Sequence, residues 1–155
     1  MEIHRFEEIL AQHPLFASFD TATIALFAGC ARHEHFRAGE RIYSEGTPAD
    51  RFFIVTHGDV ALEVATPERE PIITETVHAG ELFGWSWLIA PFKHSNDAVA
   101  LNEVRAISLD GACLRTKCEA NPALGYTMFQ HWVPHLVTRL RSLRLQVLDL
   151  YGVKA

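Results

Sequence analysis

The 155 residues make one domain, of a size that buries about 70% of the surface its unfolded chain would expose. A composition of 48% hydrophobic and 21% charged residues is that of an ordinary soluble globular protein. The net charge of -5 excludes a bulk attraction for nucleic acid or acidic membranes, so any phosphate contact has to be local.

No apolar run reaches the roughly 18 residues needed to cross a bilayer, and "MEIHRFEEIL" has acids where a secretory signal carries a basic flank. A cytoplasmic chain without a membrane partner is expected. Cys30, Cys113 and Cys118 are odd in number and contain no C-x-x-C pair, so buried thiols are expected rather than a disulfide framework or a zinc ribbon. Three sulfurs are also too few for the usual four-ligand iron–sulfur cluster.

In chain order, the apolar residues from Ile3 to Ala31 fall at helical spacings, with Asp20 placed as the N-cap of "TATIALFAGC". Residues 1–35 are read as a helical lead-in. Between Phe36 and Leu109 the pattern changes to short segments, "RIYSEG", "RFFIVTHG", "DVALEVAT", "IITETVHAG" and "DAVALNEVRAISL", separated by glycines. "VALEV" alternates with period two, as a half-buried strand does. Many short strands at this spacing predict a sandwich, jelly roll or barrel over 36–109, with "TPEREP" at 66–71 as an exposed hairpin loop.

Helical pattern returns over 110–155. Tyr126, Phe129, Val133, Leu136, Leu140, Leu143, Val147 and Leu150 step by three and four alternately, the a/d stripe of a two-helix seam. Pairing of two copies through this helix is expected. Pro134 removes a backbone donor, so a kink near residue 130 is expected, with the regular seam after it.

The residues that carry a family likeness lie in the strands. "PLF" at 14–16 and "FRAGERIYSEGTPADRFFIVTHGDVALEV" at 36–64 are followed by "AGELFGWSWL" and "HSNDAVAL". Together they resemble the cyclic nucleotide-binding domain of the Crp/Fnr regulator superfamily. The resemblance implies an α+β, mainly β protein: a double-stranded β-helix (jelly roll) with N-terminal helices and a long C-terminal dimerisation helix. It implies a single domain over 1–155, standing alone. In this superfamily DNA is read by a helix-turn-helix after the long helix, and with no residues left to build one, direct sequence-specific DNA binding is not expected.

The resemblance also assigns a phosphate-binding cassette to residues 80–90. Its short helix offers unpaired N–H groups and a positive dipole end to a cyclic phosphate. The family places a glutamate after the cassette glycine for the ribose hydroxyl and an arginine about nine residues on for the phosphate. Those positions hold Trp85 and His94. An indole is donor-only, and histidine lacks the guanidinium fork. Each lost charge-assisted hydrogen bond costs roughly 1.5–3 kcal/mol. Asp97 adds a negative charge if it faces the same pocket.

Candidate ligand-binding residues are Leu82, Phe83, Gly84, Trp85, Ser86, Trp87, His94 and Ser95. The ligand is a cyclic nucleotide or another small planar or weakly anionic molecule, and no cofactor is required. Alternatively Trp85 and Trp87 fill the pocket, leaving a ligand-free dimerisation or interaction domain.

An enzymatic reading competes. His33, His35 and Glu40, with His94, are similar to the metal ligands of cupins, themselves jelly rolls. His131 and His135 have metal-ligand spacing on a helix, but "HWVPH" has no catalytic glutamate. Arg139, Arg141 and Arg144 form a basic patch, read as the solvated flank of the seam. The reading that absorbs most residues is a non-catalytic sensor, homodimeric through its long helix and signalling to a protein partner.

Overall fold

The computed structural model of the protein describes residues 2–152. The ends of the expected helical segments, at residue 1 and at 153–155, lie outside the described residues. The backbone divides after Thr116 into two compact units.

The first unit begins with α1 (Glu2–Gln12) and α2 (Thr21–Ala28). Asp20 caps α2 as expected, its Oδ1 accepting from the Thr23 N–H at 2.8 Å. Eight strands follow: β1 (Ala31–Phe36), β2 (Arg41–Tyr43), β3 (Arg51–His57), β4 (Val60–Thr66), β5 (Arg69–Val77), β6 (Leu82–Phe83), β7 (Asp97–Ala100) and β8 (Val104–Asp110). They form two four-stranded antiparallel sheets, β1-β8-β3-β6 and β2-β7-β4-β5. This is the jelly roll expected from the strand spacing.

Side-chain alternation makes the roll two-faced. Phe53, Val55, Phe83 and Val104 of the first sheet meet Val60, Leu62, Val77, Ala98 and Ala100 of the second in one core. Their neighbours Phe52, Ile54, Ile107 and Leu109 are buried on the opposite face of the first sheet. There Phe6 of α1 lies against His33, ring centroids 4.6 Å apart.

Two boundaries differ from the sequence reading. Residues 31–35, expected in the helical lead-in, belong to β1, which pairs with β8 from Ala31↔Leu109 to Phe36↔Val104. Polar residues on both faces (Arg32 and Glu34, His33 and His35) hide the period-two signal, and the partner strand is remote in sequence. β5 starts at Arg69, inside the expected 66–71 loop, because Thr66 already pairs with Arg69 and the loop shrinks to residues 67–68.

The cysteines are the third correction. Cys30 and Cys113, expected as thiols, form a disulfide with Cα atoms 5.9 Å apart across a sequence separation of 83. Pairing of β1 with β8 brings the turn after α2 beside the first turn of α3 (Gly111–Ala120), a proximity no local pattern announces. Cys118 keeps its thiol.

In the second unit α4 (Pro122–Leu150) is one continuous helix of 29 residues. Asn121 caps it, with Pro122 at its start, where the missing N–H costs nothing. It runs through Pro134, and Thr138 Oγ1 donates to the Pro134 carbonyl at 3.0 Å. Leu124, Met128 and Trp132, one turn apart, are buried. Tyr126, Phe129, Val133, Leu140, Val147 and Leu150 of the a/d stripe are exposed, and Leu136 and Leu143 are half-buried. Arg141 and Arg144 are exposed and Arg139 is half-buried. Among the described residues no helix is long and apolar enough to cross a membrane.

Candidate functional site

Residues 82–96 build one end of the roll. β6 lies along β3 in the register Phe53↔Phe83, and Gly84 then turns the chain at φ 86°, ψ 40°. That left-handed geometry favours glycine, and a Cβ there would sit 3.1 Å from the Arg51 carbonyl oxygen and 3.2 Å from the Phe53 ring. A single 3-10 turn, Trp85–Leu88, follows. The chain returns through Phe92 and His94, tied down by Phe92 O accepting from Ala49 N–H (2.8 Å), His94 N–H donating to Thr47 O (3.0 Å) and Gly46 N–H donating to His94 O (2.8 Å).

The two indoles do not enter the roll. Both pack on Phe52, with centroids 4.6 Å away for Trp85 and 5.8 Å for Trp87, and Phe52 faces away from the side of β3 that carries Phe53. Trp87 is fully buried and Trp85 half-buried. Arg115 of α3 clamps this turn, its Nη1 donating to the Trp87 carbonyl at 2.5 Å while the guanidinium lies 4.4 Å from the Phe92 ring centroid. Gly111 brings α3 close: a Cβ there would be 3.0 Å from that of Trp87.

His94 points inward. It is 6% exposed, and its ring stacks on Tyr43 at 3.5 Å with 3° between the planes. Tyr43 in turn contacts Phe53 and Phe83, which stack on each other at 4.7 Å. Burial holds the imidazole below the ordinary histidine range, with the Asp50 charge acting weakly the other way. His94 is therefore neutral at pH 7.

A stability consequence follows from that sign. A histidine whose folded value is depressed contributes in full above the unfolded value near 6.5, and the contribution is lost as pH falls through the folded value. Urea midpoints measured from pH 7.5 to 5 should fall less steeply in His94→Phe, which keeps a ring on Tyr43 and cannot bind the proton, than in the parent. Parallel slopes would show that His94 does not titrate from a buried neutral state.

Beside His94 a cavity of about 510 Å³ opens between the two sheets. Phe36, Ile42, Tyr43 and Phe53 form its apolar wall, and Arg32, Glu34, Asp50, Arg51 and Asp110 its charged rim. Arg51 is the hub of the rim. Its Nε donates to Ser108 Oγ at 2.6 Å, Nη2 to the carbonyls of Ser108 (3.2 Å) and Cys30 (3.4 Å), and Nη1 to Asp110 at 3.4 Å. Glu34 Oε1 accepts from Arg32 Nε at 2.6 Å and from Ser108 Oγ at 2.8 Å.

Of the eight candidate ligand residues, only His94 lines this cavity. Gly84 abuts the wall through Phe53, Leu82 and Phe83 are buried in β6, Ser86 is half-buried and Ser95 is exposed. Asp97 is turned elsewhere, accepting from the Glu45 N–H at 2.7 Å and pairing with Arg41 at 2.8 Å, contacts that hold its carboxyl below the usual range. The sequence reading missed Tyr43, Arg51 and Arg115. The alternation of "RIYSEG" points to Tyr43; nothing local marks the other two.

The cupin constellation is not assembled. His33 and His35 line a separate hollow of about 610 Å³ on the outer face of the first sheet, where His35 Nε2 lies 3.1 Å from Glu103. Glu40 accepts from the Arg37 N–H, and His94 lies on the inner side. Among the described residues no group of three His, Cys, Asp or Glu side chains could hold a metal ion, His131 and His135 included.

Residues 33–121, more than half of the chain, match the model of the cyclic nucleotide-binding domain. The CRP-like cAMP-activated global transcriptional regulator of Mycobacterium tuberculosis is 26% identical over 144 residues, 93% of this chain and 62% of that protein. The chain thus spans about three-fifths of the length of that relative. A crystal structure of a Geobacter metallireducens protein, 28% identical, superposes with a TM-score of 0.77 over 86% of this chain and 97% of the other. A cyclic nucleotide-binding domain from Methylobacillus flagellatus, 20% identical, shares the fold with a TM-score of 0.77 over 95% and 83% of the two chains.

Proposed function

Because the chain belongs to the cyclic nucleotide-binding domain family, we propose that it is a non-catalytic sensor which takes a small ligand into the roll and relays its presence through a pair of α4 helices. The observation that carries this reading is the cavity of about 510 Å³ bounded by His94 and abutted by the turn at Gly84. That volume is in the range of small-molecule sites, and with Trp85 and Trp87 on the far side of β3 neither indole plugs it.

In this reading the side chain of His94 and the charged rim supply the polar contacts, and the aromatic wall supplies stacking. Trp85 and His94 replace the two groups that would grip a ribose and a phosphate. The site therefore favours a ligand other than a tightly held cyclic phosphate. Arg115 offers the route outward, since movement of the 85–92 segment pulls on its hydrogen bond to Trp87 and its contact with Phe92, and α3 leads in sequence into α4.

The exposed stripe from Tyr126 to Leu150 is the proposed dimer seam. Replacing Leu136 and Leu140 together by glutamate should give monomers by light scattering without loss of helicity, because Leu124, Met128 and Trp132 are untouched. An unchanged dimer would remove the seam. The sensor is tested by a thermal-shift series with cAMP, cGMP, adenosine and guanosine. A ligand at a hundred times its dissociation constant adds about 2.7 kcal/mol to the unfolding free energy. No shift with any of them would sink the reading.

A further inference from the structure

We infer that the cavity selects an uncharged planar ring system rich in hydrogen-bond donors, a nucleoside in preference to its cyclic monophosphate. This rests on the sensor reading above and adds the chemical class of the ligand.

The charges on the rim carry the inference. Three carboxylates, Glu34, Asp50 and Asp110, face two guanidinium groups, Arg32 and Arg51, and His94 brings no positive charge. The sum of these five is -1, so an anionic phosphodiester enters against a field of its own sign. Arg51 cannot readily compensate, because Nε, Nη1 and Nη2 all donate to protein oxygens. Arg32 is committed through Nε to Glu34 and is otherwise exposed, where salt screens it.

The acceptors tell the same story from the other side. Glu34 meets Arg32, Ser108 and Arg51 through Oε1 alone, and the Asp50 carboxylate, exposed at the rim, makes no ion pair among the described residues. An ionised carboxylate accepts and cannot donate, so the rim calls for amino and hydroxyl groups. Tyr43, Phe36 and Phe53 give such a ring an apolar wall to lie against. Nucleobase amino groups and ribose hydroxyls meet both demands, and a phosphate meets neither.

Titration calorimetry with adenosine and guanosine, against cAMP and cGMP in the same buffer, decides the matter. At least one nucleoside should bind about tenfold or more tightly than its cyclic monophosphate. Asp50→Asn should narrow that ratio several-fold, since it removes one repelling charge and leaves the Gly111 N–H bond to the Asp50 backbone carbonyl intact. Its melting temperature checks that the fold survives. Cyclic monophosphates binding as tightly as nucleosides, or a ratio unmoved by Asp50→Asn, would overturn the inference while the sensor reading stands. Silence from all four compounds would overturn both.

Discussion

Removing the Cys30–Cys113 bridge should lower the unfolding free energy of the oxidised protein by about 4.5 kcal/mol, the chain-entropy value for a closed loop of 83 residues. For a chain of this length that corresponds to about 10–15 °C in melting temperature. The bridge joins the turn before β1 to the first turn of α3 and so encloses the whole roll in one covalent loop. Thermal unfolding with and without a thiol reductant measures the effect. The double variant Cys30→Ser/Cys113→Ser should melt like the reduced parent and ignore the reductant. Hydrogen bonds to the Cys30 carbonyl, from the Asp110 N–H at 2.9 Å and from Arg51 Nη2 at 3.4 Å, should hold this junction in place when the bridge is gone. Ligand preference should then change little while stability falls. A thiol assay on the denatured, unreduced protein that finds three thiols instead of one would contradict the bridge.

Trp87→Ala should cost about 3–5 kcal/mol, the usual range for emptying a fully buried aromatic site. The indole lies against Phe52 and its Cβ against Gly111, so its removal leaves a void between β3, the 3-10 turn and α3. Trp87→Phe should recover much of the loss. The Arg115 bond is to a main-chain carbonyl and survives either substitution, which separates packing from clamping. Should Trp87→Ala melt within about 2 °C of the parent, the placement of that indole between strand and helix would be wrong.

A glycine turn, a short 3-10 helix and a return strand stand at residues 84–100. The missing carboxylate and arginine have not been replaced in place. Charge instead sits across the cavity on β1, β3 and β8, locked in an internal network around Arg51 and Ser108. Such a network organises the wall at the expense of positive charge available to a ligand, which is the basis for the proposed preference for uncharged ligands.

The fold was legible in the chain because its signals are local. Asp20 before an apolar helical run, glycines at the ends of short alternating segments, and leucines three and four apart on α4 each act within about ten residues. The turn at Gly84 was legible for the same reason, since its own backbone angles favour glycine. β1 was not, because its six residues put polar groups on both faces and find their partner more than sixty residues away. The disulfide, the Arg51 hub and the Arg115 clamp follow from that pairing and from the approach of α3. Which face of β3 the indoles take was also beyond a one-dimensional reading: Phe52 and Phe53 are adjacent and both aromatic, and only the stacking of the two sheets makes one of them the inner wall. Chain-local chemistry therefore specified most of the elements and, of the cavity, His94 alone among the candidate ligand residues. The sign of the charge inside it was set by side chains far apart in sequence, which only the closed roll brings to within hydrogen-bonding distance.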